Sequence, residues 1–328
     1  MRIFVAGGSG VIGRHLVPLL VAQGHEVTTL SRRASSSSVT GDVFDRDRLH
    51  ELVAAARPDV VMHQLTDLGT RDFAANSRIR REGTRNLVDA ALTAGVRRVI
   101  SQSIAWAYEP GSTPADESTP LDVRSPDESR RTTVEAVATL ESITAEAPEW
   151  VVLRYGMLYG PGTWYTKGGL MATAQLPTGP DLTSFLHIED AAEAAASALT
   201  WPSGPVNIVD DNPLPASAWA PAFAQSVATP PATPPAPAPR EPARTTPTPT
   251  EGTRTEGTRT EGTRTEGTRT EGARTEGTRT EGARTEGTRT EGARTAEART
   301  GWARGATNAR ARALGWAPSH PTFLGALP

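Results

Sequence analysis

The 328-residue sequence contains no cysteine. Disulfides, thiol nucleophiles and thiolate metal sites are therefore excluded. Lysine is nearly absent: Lys167 stands alone against 33 arginines. With a net charge of −3 there is no basic field for nucleic acid. Long apolar runs are missing as well. The opening MRIFVAGGSG is broken by glycines within its first seven residues, which fits neither a signal peptide nor a membrane span. The expectation is a soluble cytoplasmic protein with no membrane or nucleic-acid partner. The six histidines show no paired spacing of the kind that binds a metal.

One stretch lacks the means to form a core. Nine of the 27 prolines fall within 229–250, and 251–295 is Glu-Gly-Thr/Ala-Arg-Thr repeated nine times. No apolar residue larger than Ala occurs in that array. A glycine every fifth residue opposes a helix by about 1 kcal/mol each. The expected state of 229–300 is a disordered Pro-rich and repeat insertion. Removing it leaves about 256 residues, enough for one sizeable core. The expected organisation is a binding domain over 1–228, the insertion over 229–300, and a segment over 301–328 that returns to the domain.

Strands and helices alternate in what remains. Strands are expected at 2–6, 26–30, 59–63, 96–101, 150–154 and 205–209. Helices are expected at 11–22, 46–56, 71–94, 127–147, 189–199, 216–227 and 306–314. This alternation predicts an α/β fold, a doubly wound parallel sheet covered by helices on both faces.

Gly7-Gly8-Ser9-Gly10-Val11-Ile12-Gly13 lies between the first strand and the first helix. Gly7 allows the turn, Gly10 lets a pyrophosphate approach the backbone, and Gly13 lets the helix pack closely. The amides at the helix start, including Val11 and Ile12, then face the phosphates. The second strand ends in Ser31-Arg32-Arg33, where an acidic residue would have met a ribose 2′-hydroxyl. A guanidinium there suits a 2′-phosphate, so NADP is expected as cofactor, with NAD as the alternative. Asp42 is placed for the adenine edge, and Gln64 and Leu65 leave the third strand where the dinucleotide should pass.

With these residues the chain resembles the extended short-chain dehydrogenase/reductases, the NAD-dependent epimerase/dehydratase group, whose sheet is of the Rossmann type with a small C-terminal substrate lobe. Further similar segments are Glu82–Val88, Ser101-Gln102-Ser103, Leu153–Gly162, Ser184–Asp190 and Asn308–Pro318. The resemblance implies a small-molecule substrate, either a carbonyl or hydroxyl compound or a nucleotide sugar. It also implies a homodimer through the helices at 71–94 and 127–147.

That family works with a Tyr-x-x-x-Lys pair one turn apart on a helix. Here Thr133 and Val137 occupy those places. Ser103 matches the family's catalytic serine. Tyr108, on the loop after it, and Tyr155, at the end of the sixth strand, are candidates for the missing proton donor. Tyr165 and Lys167 lie on a Gly-rich loop expected to cover the cleft. His63 is expected in the core, and His187 as a hydrogen-bonded structural residue. Two functions follow. One is an oxidoreductase or epimerase without the usual pair. The other is a non-catalytic NADP-binding sensor or scaffold.

Overall fold

A computed structural model describes residues 1–33, 38–67, 72–228 and 304–327. The expected disorder of the insertion lies outside these residues. The strands are β1 (Arg2–Ala6), β2 (Glu26–Ser31), β3 (Ser38–Thr40), β4 (Val60–His63), β5 (Arg98–Ile104), β6 (Glu149–Tyr155), β7 (Met157–Tyr159), β8 (Leu182–Thr183), β9 (Phe185–His187), β10 (Gly204–Ile208) and β11 (Leu214–Pro215). The helices are α1 (Gly13–Ala22), α2 (Arg46–Ala56), α3 (Phe73–Arg78), α4 (Thr84–Thr93), α5 (Glu128–Thr144), α6 (Ile188–Ser197), α7 (Ala216–Val227) and α8 (Ala309–Ala313).

Seven parallel strands form one sheet in the order β10-β6-β5-β4-β1-β2-β3. The chain winds outward from β1 to β3, then returns to β4 on the other side of β1. The order therefore reverses beside β1, and ligands of such sheets sit there, beyond the carboxyl ends of the strands. This is the expected doubly wound Rossmann architecture.

The central strands β1 and β4 are buried on both faces, which is why they are apolar throughout rather than alternating. Ile3 and Val5 face a core shared with Leu16 and Leu20 of α1 and Ala191 and Ala195 of α6. Phe4 and Ala6 face the opposite core with Leu49 and Val53 of α2, Leu87 and Val88 of α4, and Ile143 of α5. Side-chain caps mark helix starts: Asp45 accepts from the Arg48 amide at 3.1 Å, and Asp127 from the Arg130 amide at 2.7 Å.

Beyond the sheet, β7–β9 and β8–β11 make two small ribbons. With α7 they frame an aromatic cluster of Tyr159, Tyr165, Phe185, Trp219, Phe223 and Phe323. The C-terminal segment returns to this lobe. Ala306 bridges to Ala115 and Arg304 to Leu182, while the Asn308 amide donates to the Val209 carbonyl at 3.0 Å.

Most expected boundaries shift by one to three residues, and three helices change in ways that matter. The helix over 71–94 is α3 and α4 joined by a wide π turn at Ile79–Gly83. The helix over 127–147 ends at Thr144. The helix over 306–314 shrinks to α8, because Ala306 is used in the bridge to Ala115. The short strands β3, β7, β8, β9 and β11 were not expected. At two or three residues each they carry too little pattern to be seen in a sequence.

Candidate functional site

The first cleft is built from backbone. Gly7 sits at φ +101°, and a Cβ there would lie 2.4 Å from the Gln64 carbonyl oxygen. A Cβ at Gly13 would lie 2.3 Å from the Gly7 carbonyl oxygen, so only glycine lets α1 start this close to the turn. At Gly10 an added Cβ would meet only the Gly7 oxygen, at 3.2 Å, so this backbone faces open space. The amides of Val11 and Ile12 donate to no backbone carbonyl among the described residues. Val11 is half-buried and Ile12 buried, their side chains packing with the α1 core.

Gly7, Gly10, Ser31, Arg32, Asp42, Gln64 and Leu65 line one cleft. The structure thus brings together most of the expected cofactor residues. Arg33 is exposed at the same turn, its amide donating to the Ser31 hydroxyl at 3.1 Å. Asp42 Oδ1 accepts from the Phe44 amide at 3.0 Å, so one carboxylate oxygen shapes its own loop. The Gln64 side-chain amide is buried without a well-formed hydrogen bond among the described residues, and its nearness to the Tyr155 hydroxyl offsets part of the rise that burial gives that phenol. An orphaned amide, free helix-start N–H groups and an open glycine backbone fit a dinucleotide. The acidic side chain that would grip a ribose 2′-hydroxyl is absent from the end of β2.

The second cleft follows the carboxyl ends of β5 and β6. Trp106, Gly156, Met157, Tyr165, Asp181 and Trp219 are among the residues that line it. Tyr165 and Trp219 meet edge to face at 5.7 Å.

Ser103, Tyr108 and Tyr155 line neither of these clefts. Ser103 is 1% exposed and donates to Glu141 Oε1 at 2.7 Å. Glu141 is held by Arg154 through bonds of 3.0 and 2.6 Å. Arg154 Nη1 reaches the Tyr108 hydroxyl at 3.0 Å, and that hydroxyl donates to Asn207. Tyr108 is fully buried, and burial pushes its phenol up to about 12. Tyr155 is 1% exposed in the core beside α6, where its hydroxyl donates to the Ala191 carbonyl at 3.4 Å and burial pushes its pKa up. The two phenols expected to donate protons thus have internal partners and depressed acidity. The reason is physical: Tyr155 ends a sheet strand covered by α6, and Tyr108 packs with Ala115, Val209 and Ala306 under the returning segment.

The places of the missing pair are equally telling. The Thr133 hydroxyl donates to the Ser129 carbonyl at 3.0 Å. Val137 is 1% exposed in an apolar patch with Ile104, Ala107 and Val134. Tyr165 is pushed up to about 12, also by burial, and Lys167 is exposed. His63 is a core residue, as expected, bonded to Thr84 Oγ1 at 2.9 Å; burial and the Arg80 charge lower it to about 4. His187 accepts weakly from the Glu189 amide at 3.4 Å as the cap of α6, the structural role expected for it.

Sequence reasoning missed Arg80, Glu141, Arg154 and Asn207 in this region. Arg80 is a buried cation facing Glu141 and His63. No local signal reveals them, since their partners lie far along the chain.

Residues 3–209 match the sequence pattern of the NAD dependent epimerase/dehydratase family. The chain is 45% identical over 252 residues to a 3-diazoavenalumate denitrifying reductase of a Streptomyces species, covering 70% of this chain and 83% of that protein. It is 28% identical over 204 residues to a ceramide reductase of Caulobacter vibrioides, covering 58% of each. Among solved structures it is similar to the Bordetella bronchiseptica enzyme WbmG in complex with NAD and UDP, at TM-score 0.58 and 22% identity, covering 71% of this chain and 80% of that one. It is also similar to Thermus thermophilus UDP-glucose 4-epimerase in complex with NAD, at TM-score 0.56 and 24% identity, covering 69% and 83%. These last two share the fold.

Proposed function

The chain belongs to the NAD-dependent epimerase/dehydratase family, and from that premise we propose that it is a nicotinamide-dependent reductase that replaces a carbon-bound diazonium group with hydrogen. The observation that carries this reading is the lack of a usable acid at the reaction end. Reducing a carbonyl produces an alkoxide that must be protonated in the transition state. Thr133 is committed to its own helix, Val137 carries no charge, and all four tyrosines are raised by burial.

A diazonium carbon needs no such proton. When bound, a reduced nicotinamide supplies a hydride, and dinitrogen leaves with the C–N electron pair as the new C–H bond forms. The chain's own residues bind and shield. Trp106, Tyr165 and Trp219 give aromatic walls to a flat conjugated substrate. Asp181 sets a carboxylate on the cleft that attracts a cationic head group. Gly7, Gly10, Gly13, the Val11 and Ile12 amides, Gln64 and Leu65 would hold the dinucleotide, and Asp42 its adenine. Ser31, Arg32 and Arg33 favour NADPH over NADH. Ser103, Tyr108 and Tyr155 support the cleft from beneath rather than move protons. The 45% identical denitrifying reductase supports the same chemistry.

A homodimer through α3, α4 and α5 belongs to this reading, and Phe73, 52% exposed at the start of α3, offers it an apolar contact. No helix among the described residues is long and apolar enough to cross a membrane; a cytoplasmic location is part of the proposal.

The test is anaerobic incubation with an arene diazonium salt and NADPH deuterated at the transferring position. One dinitrogen should be released per NADPH consumed, with deuterium on the arene carbon and faster than in a protein-free control. NADPH binding without any rise in dinitrogen release would favour the alternative, a non-catalytic NADP-binding sensor.

A further inference from the structure

We propose that His187, Glu189 and His320 form a site for one divalent transition-metal ion of the zinc class, separate from both clefts. One donor atom from each lies within 4.8 Å of the others. His187 Nδ1 is 3.8 Å from Glu189 Oε2, and His320 Nε2 is 4.0 Å from the same oxygen. A tetrahedral ion with bonds of about 2.0–2.1 Å needs its donors about 3.3–3.5 Å apart. Both separations from Glu189 are a few tenths of an ångström longer than that, and the exposed Glu189 side chain has the freedom to shorten them.

His320 is already oriented as a ligand. Its Nδ1 faces Asp190 Oδ2 at 3.3 Å, so Nδ1–H donates to that carboxylate and Nε2 keeps its lone pair. A carboxylate behind a histidine is the arrangement that fixes metal-binding imidazoles. Asp190 is fully buried and also accepts from the amides of Ser319 at 2.9 Å and His320 at 3.0 Å. The His187 ring is fixed from behind, since a Cβ on Gly160 would lie 2.7 Å from its Nε2. Its Nδ1 makes only the weak capping contact at 3.4 Å, which a metal displaces at little cost. The positive end of α6 opposes a cation there, and Glu189 and Asp190 in its first turn offset it.

Three protein ligands leave a fourth position for water. The ion would act as a clip. Two ligands come from the start of α6, while the third comes from the returning segment, 130 positions beyond Asp190. Three residues later Phe323 stacks on Phe185 at 3.9 Å, behind the aromatic wall of the second cleft. A bound ion therefore ties the returning segment that carries Phe323 to the start of α6.

The experiment uses the full chain, stripped of metal by a chelator and dialysed. Zinc chloride is titrated by calorimetry and cobalt(II) chloride by visible absorption. One equivalent should bind, cobalt should show the intense d–d bands of a tetrahedral site, and the melting temperature should rise. His320→Ala and Glu189→Gln should each weaken binding at least about tenfold, while His25→Ala, outside the cluster, should leave it unchanged. Glu189 is exposed, so its variant keeps the test decisive if the histidine variant does not fold. Absence of stoichiometric binding, or equal affinity in the Glu189→Gln variant, overturns the proposal.

Discussion

The two clefts at the carboxyl ends of the strands are built by different means. The first cleft is made of backbone: four glycines within seven positions, a turn at φ +101°, and loops leaving β2, β3 and β4. The region beneath the second cleft is made of side chains from distant places. Ser103, Tyr108, Glu141, Arg154 and Asn207 form one buried chain of hydrogen bonds. The first design tolerates many side chains but few added Cβ atoms. The second tolerates few side-chain changes, because each loss leaves a buried polar group unpaired. Thr133 and Val137, expected at the places of the family's proton-transfer pair, lie near the side-chain-built end, and seven of the residues expected to hold a cofactor line the backbone-built one.

The largest expected effect breaks the side-chain end. Arg154→Met removes the partner of a largely covered Glu141 and strands its charge. A cost of about 3–5 kcal/mol is expected in urea unfolding, with Arg32→Met, a surface control in the other cleft, costing under about 0.5 kcal/mol. Equal losses in the two variants would erase the distinction drawn between the clefts.

The next effect is in pH dependence, where the two regions tilt stability in opposite directions. His63, next to Gln64 of the first cleft, is held at about 4 against an ordinary 6.5. Below about 6.5 the unfolded chain takes up a proton that the folded chain refuses, so stability falls as pH drops toward about 4, by up to about 3 kcal/mol. Asp210, behind the aromatic lobe, is raised to about 7 by burial. Between 3.8 and about 7 the unfolded chain releases a proton that the folded chain keeps, so this group lowers stability as pH rises through that window. His63→Gln should flatten the acid side of the stability profile, and Asp210→Asn the neutral side. An unchanged slope in either variant would show that the group does not titrate as placed.

The smallest effect sharpens the backbone end. Arg32→Asp should shift preference from NADPH toward NADH by about tenfold, or roughly 1.4 kcal/mol. Dissociation constants from fluorescence titration measure it. Equal affinities for both cofactors in the parent protein would show that Arg32 does not meet the 2′-phosphate.

Local pattern was enough to read the sheet and the glycine turn that lines the first cleft. Helices α2 and α7 were expected at their observed bounds, because the Asp45 cap, the 3.6-residue apolar spacing and the prolines act within a few positions. The glycine turn was legible for the same reason, since its demand is a φ value and a close contact between Gly7 and Gly13. Cysteine and lysine counts excluded thiol chemistry and the Tyr-x-x-x-Lys pair before any coordinate was needed.

Tertiary structure alone decided the rest. Whether a tyrosine is an acid depends on what covers it, and the covering of Tyr108 and Tyr155 comes from Asn207, Arg154 and α6. The meeting of His187 with His320, ring centroids 3.7 Å apart, has no trace in the spacing of the histidines. Periodicity reports which face of an element is buried, and it carries no record of which distant element buries it.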